Sequence, residues 1–206
     1  MARTRTEERR TAILAAAWDV FRQCGLDRAS MAEIAERAGC SKATLYSYFQ
    51  SKHELFGHAV EHGLADSSQE AFRPFRNAAP IEDRLLAFSL LHMKQRLSPD
   101  WVAVDHMMNE AIEHPTVYAM LREKSLNRRR RIAEVLEREM NAGNLRQADP
   151  LRAAVHLLAL IEFDLADRWI HGGRPVPPGL VEEHVAAGLA AFLRAYGKAE
   201  GGRAAV

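Results

Sequence analysis

The stretch SMAEIAERAGCSKATLYSYFQSKHEL, residues 30–55, starts a helix three times, and that density constrains the chain more than any other feature of it. Ser30-Met31-Ala32-Glu33 has the capping-box pattern, in which the serine hydroxyl accepts from the third helical N–H while the glutamate reaches back to the cap's own N–H. Gly39 ends that helix, Ser41 can cap a second over Lys42 to Phe49, and Ser51-Lys52-His53-Glu54 repeats the box before a longer one. Helices of about two turns are marginal in water and persist only by packing on one another. Ahead of them, Ile13, Leu14, Ala17, Trp18 and Phe21 recur at three- and four-residue steps between Glu7 and Cys24, with Gly25 as a stop. A first helix is therefore available to pack against.

Two short helices joined by a tight glycine turn behind a first helix make a helix-turn-helix, whose second helix can lie in the DNA major groove. At about 100° per residue, Leu45 and Phe49 fall on one side, toward Ile34, Ala35 and Phe21, while Ala43, Thr44, Ser47 and Tyr48 fall on the other. Lys42, in the first turn, can swing to a phosphate or a guanine edge, and Thr44, Tyr46 and Tyr48 carry hydroxyls suited to phosphate oxygens. Ala43 and Ser47 are small enough to seat the helix deeply, one against a thymine methyl and one on a base edge. Lys52, at the start of the following helix, can hold another phosphate. Singly, each residue has an ordinary duty, since tyrosines line cores with their polar tips out and serines cap helices. Only the joint spacing points to DNA.

That spacing resembles the TetR family of bacterial transcriptional regulators, whose signature IA..AG.S..TLY.YF.SK..L is met here by Ile34-Ala35, Ala38-Gly39, Ser41, Thr44-Leu45-Tyr46, Tyr48-Phe49, Ser51-Lys52 and Leu55, with Ser30 as the preceding cap. The match covers about the first quarter of the chain. The resemblance implies a homodimer whose two heads bind a palindromic operator, usually repressing nearby genes, and whose C-terminal domain takes a small effector that releases DNA. Carried over by position, it puts phosphate contacts on Thr44, Tyr46, Tyr48 and Lys52 and readout on Lys42, Ala43 and Ser47. In one respect the chain departs from the pattern: Ala32 stands where several members have a long polar side chain that reaches a base, so recognition leans on the third helix and on DNA shape.

Whole-chain charge is silent on this, since 28 basic and 27 acidic residues leave a net +1, so phosphate binding must come from a local patch. The basic start, Arg3, Arg5, Arg9 and Arg10, is either an arm for an adjacent minor groove or a frayed terminus. No apolar run approaches the roughly 20 residues of a membrane span, and the N-terminus has no apolar stretch behind its basic start; a cytoplasmic protein with no membrane partner is expected. Cys24 and Cys40 have no zinc spacing, and His58 and His62 lie four apart without a third ligand, so no metal and no cofactor is expected. The run of four arginines at 128–131 spreads around a helix and reads as a solvated face.

Beyond Pro74 long helices are expected at 80–97, 100–112, 115–142, 149–171 and 178–197, broken at Ser98-Pro99-Asp100, His114-Pro115, Gly143-Asn144, Asp149-Pro150 and GGRPVPPG, with the final EGGRAAV disordered. No strand-type alternation of any length occurs. The fold expected is all-α, with an N-terminal three-helix helix-turn-helix DNA-binding domain at 1–52 and a helical effector-binding and dimerisation domain at 53–200. Effector pockets are mostly apolar with a few orienting polar groups, and the candidates here are Phe88, His92, Met93, Trp101, His106, Met107, Tyr118, Glu162, Phe163 and Trp169. Plain core competes with that reading for the Met and aromatic residues. Glu162 and Asp164 interrupt an apolar run, with Arg168 one turn beyond Asp164 to pair with it; a pocket-facing Glu162 would favour a cationic or hydrogen-bond-donating effector.

Val181, Val185, Gly188 and Phe192 line one stripe of the last helix, and Ala186, Ala187, Ala190 and Ala191 permit close approach, so two copies can pair as a four-helix bundle. The reading is a homodimeric repressor released from a double-stranded operator by a small, largely apolar effector. Its rival is a nucleoid or division-control protein whose C-terminal domain binds a protein. No nucleophile–base pair or phosphate loop suggests an enzyme.

Overall fold

The computed structural model describes residues 2–110, 114–172, 176, 177 and 179–198, with side chains except at 2–5, 66, 67, 108–110, 124, 164 and 166–172. Asp164, Arg168 and Trp169 therefore lie outside the described side chains, as do Arg3 and Arg5, and the terminal EGGRAAV lies outside the described residues. The helices are α1 (Ala2–Arg28), α2 (Met31–Arg37), α3 (Lys42–Tyr48), α4 (Lys52–Ala71), α5 (Ile81–Arg96), α6 (Pro99–Glu110), α7 (Pro115–Asn141), α8 (Pro150–Gly172) and α9 (Leu180–Tyr196), with one 3-10 turn at Arg73–Arg76. Among the described residues there is no strand beyond a single antiparallel bridge between Leu145 and Gly197, so the fold is all-α.

Local chemistry explains the breaks. Pro99, Pro115 and Pro150 each begin a helix, where the missing N–H costs nothing and the fixed φ suits the first turn. Gly25, at φ 78° and ψ 177°, interrupts α1 where a stop was expected, and the chain then makes one more turn to Arg28. Helix α1 also begins earlier than expected: the basic start from Ala2 continues it rather than forming an extended arm.

The chain packs as two compact units, residues 1–67 with 98–124, and 68–97 with 125–206. In the first, Phe21 meets Phe56 edge to face at 5.0 Å, and Ile13, Ala17, Ile34, Leu45, Phe49 and Leu55 close around them with almost no exposure. Helix α6 and the first turns of α7 lend Val104, Met107, Val117 and Leu121 to the same core. Close approach of α4 depends on two glycines: a Cβ at Gly63 would sit 2.3 Å from the Trp18 ring, and one at Gly57 2.2 Å from Met120 Cε.

In the second unit α5, α8, α9 and the C-terminal part of α7 enclose Phe88, Leu136, Leu157, Ile161 and Phe192. Arg84 makes a two-bonded pair with Glu139 at 2.9 and 3.0 Å, and Arg131 lies 4.0 Å over the Phe72 ring. The stripe of Val185, Gly188 and Phe192 faces inward: the two larger residues are fully buried, and a Cβ at Gly188 would lie 2.3 Å from the Leu160 carbonyl oxygen. That stripe is a seam between α8 and α9 of one chain. Outward on the same helices lie Ala186, Ala187 and Ala190 of α9, with Leu151, Val155, Ala159, Leu160 and Phe163 of α8.

Candidate functional site

Helix α3 is built from its caps inward. The Ser41 hydroxyl accepts from Thr44 N at 3.0 Å and shares a hydrogen bond with Thr44 Oγ1 at 2.9 Å, so the first turn is fixed. The turn before it needs a left-handed residue and has one, Gly39 at φ +64°. Ser30 likewise accepts from Glu33 N at 3.1 Å, though Glu33 turns to Arg37 at 3.0 Å instead of reaching back. Ser51 accepts from Glu54 N at 3.1 Å, and the return bond of Glu54 goes to Gln50 N at 2.8 Å. All three cap hydroxyls sit where the sequence put them.

Leu45 and Phe49 are 0% and 1% exposed, which anchors α3 and fixes what faces outward. Lys42, Ala43, Tyr46 and Ser47 are exposed, Tyr46 by 49%, and Thr44 and Tyr48 are half-buried at the edge. Ser47 donates to the Thr44 carbonyl at 2.6 Å, which leaves the lone pairs of its oxygen outward. Among the described residues no side-chain hydrogen bond or ion pair engages Lys42 or Tyr46. A cation and a phenol exposed on a helix anchored from beneath are suited to acceptors from outside.

Lys52 is engaged within the fold. Its ammonium donates to the carbonyls of Asp27 and Ala29, both at 3.1 Å, tying the start of α4 to the turn between α1 and α2. The Asp27 carboxylate meets His114 Nε2 at 2.9 Å, and the His114 ring lies 5.1 Å from that of His53. Arg9 donates to the Gly39 carbonyl at 3.2 Å and Arg10 lies 5.4 Å over Phe49, so both basic residues brace the turn and the end of α3. Sequence reasoning missed these bonds, because nothing in local spacing links residues this far apart in the chain to the turn.

The effector candidates do not gather in one place. Phe88, His92 and Met93 of α5 and Glu162 of α8 belong to the second unit, with Phe88 stacked on His92 at 5.5 Å. Trp101 and Met107 pack in the core of the first unit, His106 is exposed there, and Tyr118 is 42% exposed. Phe163 is 81% exposed. Trp169 lies outside the described side chains.

Around His92 the interior is polar. His92 Nε2 lies 2.6 Å from Glu162 Oε1, and Arg96 Nε lies 3.6 Å from Glu162 Oε2. Burial would push the Glu162 carboxyl up, but the hydrogen bond and charge of His92 and the charges of Arg128 and Arg96 outweigh it and bring it to about 2. Burial drives the His92 imidazole down, opposed by Glu162 and helped by Arg128 and Arg96. At neutral pH the pair is thus a neutral imidazole donating Nε2–H to a carboxylate. Glu162 is satisfied from within the chain, so it does not make the site one for a cation.

Residues 13–59 match the bacterial regulatory proteins of the tetR family, and residues 83–198 match the AefR-like transcriptional repressor C-terminal domain. A transcriptional regulator of the TetR family from Mesorhizobium loti is 25% identical, with 94% of this chain and 98% of that one superposed at a TM-score of 0.84. The flavonoid-responsive regulator FrrA is 27% identical over 94% of this chain and all of its own, at a TM-score of 0.71. The transcriptional activator FasR of Mycolicibacterium smegmatis is 26% identical over 172 residues, 82% of this chain and 76% of its own.

Proposed function

The chain belongs to the TetR family of bacterial regulatory proteins, and from that premise we propose a homodimeric repressor that leaves a palindromic operator when a small, largely apolar effector binds. The observation that carries the reading is the outward face of α3: Lys42, Ala43, Tyr46 and Ser47 exposed over a helix anchored by Leu45 and Phe49. Phosphate contacts are assigned to Thr44, Tyr46, Tyr48 and Lys52, and base contacts to Lys42, Ala43 and Ser47. Lys52 retains one N–H beyond its two carbonyl bonds for this purpose. The C-terminal match to a repressor domain supports repression.

Dimerisation is assigned to α8 and α9. Leu151, Val155, Ala159 and Phe163 recur every four residues on one exposed stripe of α8, and exposed Ala186, Ala187 and Ala190 let a second helix pair come close. A two-fold axis then places two copies of α3 about 34–36 Å apart, or a multiple of it, on DNA. The functional division falls at residue 52, with 1–52 reading DNA and 53–200 serving effector and partner copy. Helix α4 is the lever, since it starts at Lys52 and continues into the residues that lead to α5. An effector acts only through tighter binding to the state whose heads do not fit the operator.

Footprinting on DNA flanking the chain's own gene, repeated with lipophilic compounds, tests this reading. A two-lobed protected site that a compound abolishes is expected, together with higher reporter expression on deletion of the gene. Expression that falls on deletion replaces repression by activation. A footprint no compound disturbs removes the effector.

A further inference from the structure

The turn from α1 into α2 is not placed by helix geometry alone. Gly25, at φ 78° and ψ 177°, breaks the rotation of α1, so the directions of the Asp27 and Ala29 carbonyls beyond it depend on other ties. Leu26 is fully buried, and Arg28 Nε donates back to the Cys24 carbonyl at 3.0 Å. From the first residue of α4, Lys52 Nζ donates to both carbonyls at 3.1 Å. A further tie comes from much later in the chain: His114, just ahead of α7, puts Nε2 2.9 Å from Asp27 Oδ1.

His114 thereby touches both ends of the tie that Lys52 makes. One end is Asp27; at the other, the His114 ring lies 5.1 Å from that of His53, the residue after Lys52, at an angle of 42°. An ionised carboxylate only accepts, so Nε2 carries the hydrogen. The pair is 29% exposed at His114 and 60% at Asp27, where such a contact adds little to folding. Among the described residues no three imidazole, thiol or carboxylate groups are placed to hold a metal ion, so the cluster is read by its hydrogen bonds. What it can do is aim Lys52, whose ammonium rides on a flexible four-carbon stem and is fixed at one point of the surface by those two carbonyls. We infer that His114 is a positioning residue for operator binding: by holding the Asp27 carboxylate and lying against His53, it fixes the carbonyls that aim Lys52 at a DNA phosphate. The inference rests on the phosphate contact proposed for Lys52. It makes a competent DNA face depend on the segment ahead of α7, which belongs to the first unit although α5 before it belongs to the second.

The probe is a duplex recovered by binding-site selection with the parent protein, titrated with full-length variants over a series of salt concentrations. Lys52→Ala is expected to lower the salt slope by about one. His114→Ala is expected to weaken binding about fivefold near physiological salt, to lower the slope by about one as well, and to add no more than about a twofold loss in the Lys52→Ala background. His114→Gln, whose amide N–H can stand in for Nε2, is expected to bind within about twofold of the parent. Thermal unfolding of His114→Ala should fall by no more than about 4 °C, which separates aiming from bracing. A slope that falls for Lys52→Ala but not for His114→Ala, losses that multiply in the double variant, or a glutamine variant that binds no better than the alanine one overturns the role of His114 and leaves the phosphate contact standing. A slope unmoved by Lys52→Ala removes that contact, and the inference with it.

Discussion

The two compact units place their polar chemistry on opposite sides of their cores. In the first, the buried side chains among the described residues are apolar, and the cation and hydroxyls of α3 stand at the surface over an apolar, partly aromatic base. In the second, Ser89, His92, Gln95 and Arg96 are buried on a single helix, α5, with Glu162 drawn in to meet them. A rigid exterior face suits a ligand larger than the protein's own domains, such as a duplex, whose phosphates must be met without the protein reorganising. A polar interior suits a molecule small enough to be enclosed, where each group is worth more because water is excluded. The same contrast sets how each unit responds to damage.

Its largest expected effect is at Glu162. Glu162→Ala removes the carboxylate that meets His92 at 2.6 Å and Arg96 at 3.6 Å in the interior and is expected to cost about 3–5 kcal/mol in urea unfolding. Glu33→Ala, which breaks an ion pair with Arg37 that is 44% and 38% exposed at its two side chains, is expected to cost no more than about 1 kcal/mol. Equal costs would erase the distinction between a buried and a surface network. Acid sharpens it. The Glu162 carboxyl is near 4.5 when unfolded and about 2 in the fold, so its contribution is complete above about 4.5 and disappears as pH falls through about 2. His92 acts in the same sense, since its lowered value means that stability is complete above about 6.5 and declines as pH falls below that. Stability is therefore expected to fall steadily with acid, and Glu162→Gln to flatten the lower part of the curve.

Next in size is a steric test of the dry unit. Gly63→Ala would put a Cβ 2.3 Å from the Trp18 ring, and neither the indole nor the helix backbone can yield that distance cheaply. A loss of about 1–3 kcal/mol in the same unfolding measurement is expected. No change would show that α4 can slide on α1, and the head would then be less rigid than its burial implies.

Much of this was legible before any coordinates. Ser30, Ser41 and Ser51 cap as their spacing said, Leu45 and Phe49 are buried as their rotation said, and the proline breaks fall within about two residues of the helix starts. These signals are local, fixed by one turn of helix. What was hidden is long-range: periodicity says which face is apolar but not against what it packs. Val185, Gly188 and Phe192 therefore read as a dimer stripe when they are a seam within the chain, and Trp101 and Met107 read as pocket when they close the first core. Likewise nothing local shows that Lys52 reaches Asp27 and Ala29, 25 and 23 residues back.

Those bonds, set beside the phosphate contact proposed for it, make Lys52 the test of whether the head's outside and inside are as separate as the comparison holds. Lys52→Ala removes two carbonyl bonds and, under the proposed reading, one phosphate contact. It is expected to cost about 1 kcal/mol of stability and to lower the salt dependence of operator binding by about one charge. A stability loss with an unchanged salt slope would confine Lys52 to bracing the turn between α1 and α2.

Lys42 should show the smallest effect on the fold and the clearest effect on recognition. Its side chain is exposed in the first turn of α3, and Ser41 and Thr44 hold that turn without it. Lys42→Ala is thus expected to leave unfolding within about 0.5 kcal/mol of the parent, because the side chain is exposed and makes no hydrogen bond or ion pair among the described residues. Base preference is another matter, since Ala32 is too short to reach a base and Lys42 is the only charged side chain on α3. In a binding-site selection the variant should lose discrimination at one position in each half-site, by about 1–3 kcal/mol for a lost guanine contact. If every position is selected as before and affinity falls evenly across sequences, Lys42 holds a phosphate, and base reading passes to Ala43, Ser47 and the shape of the duplex.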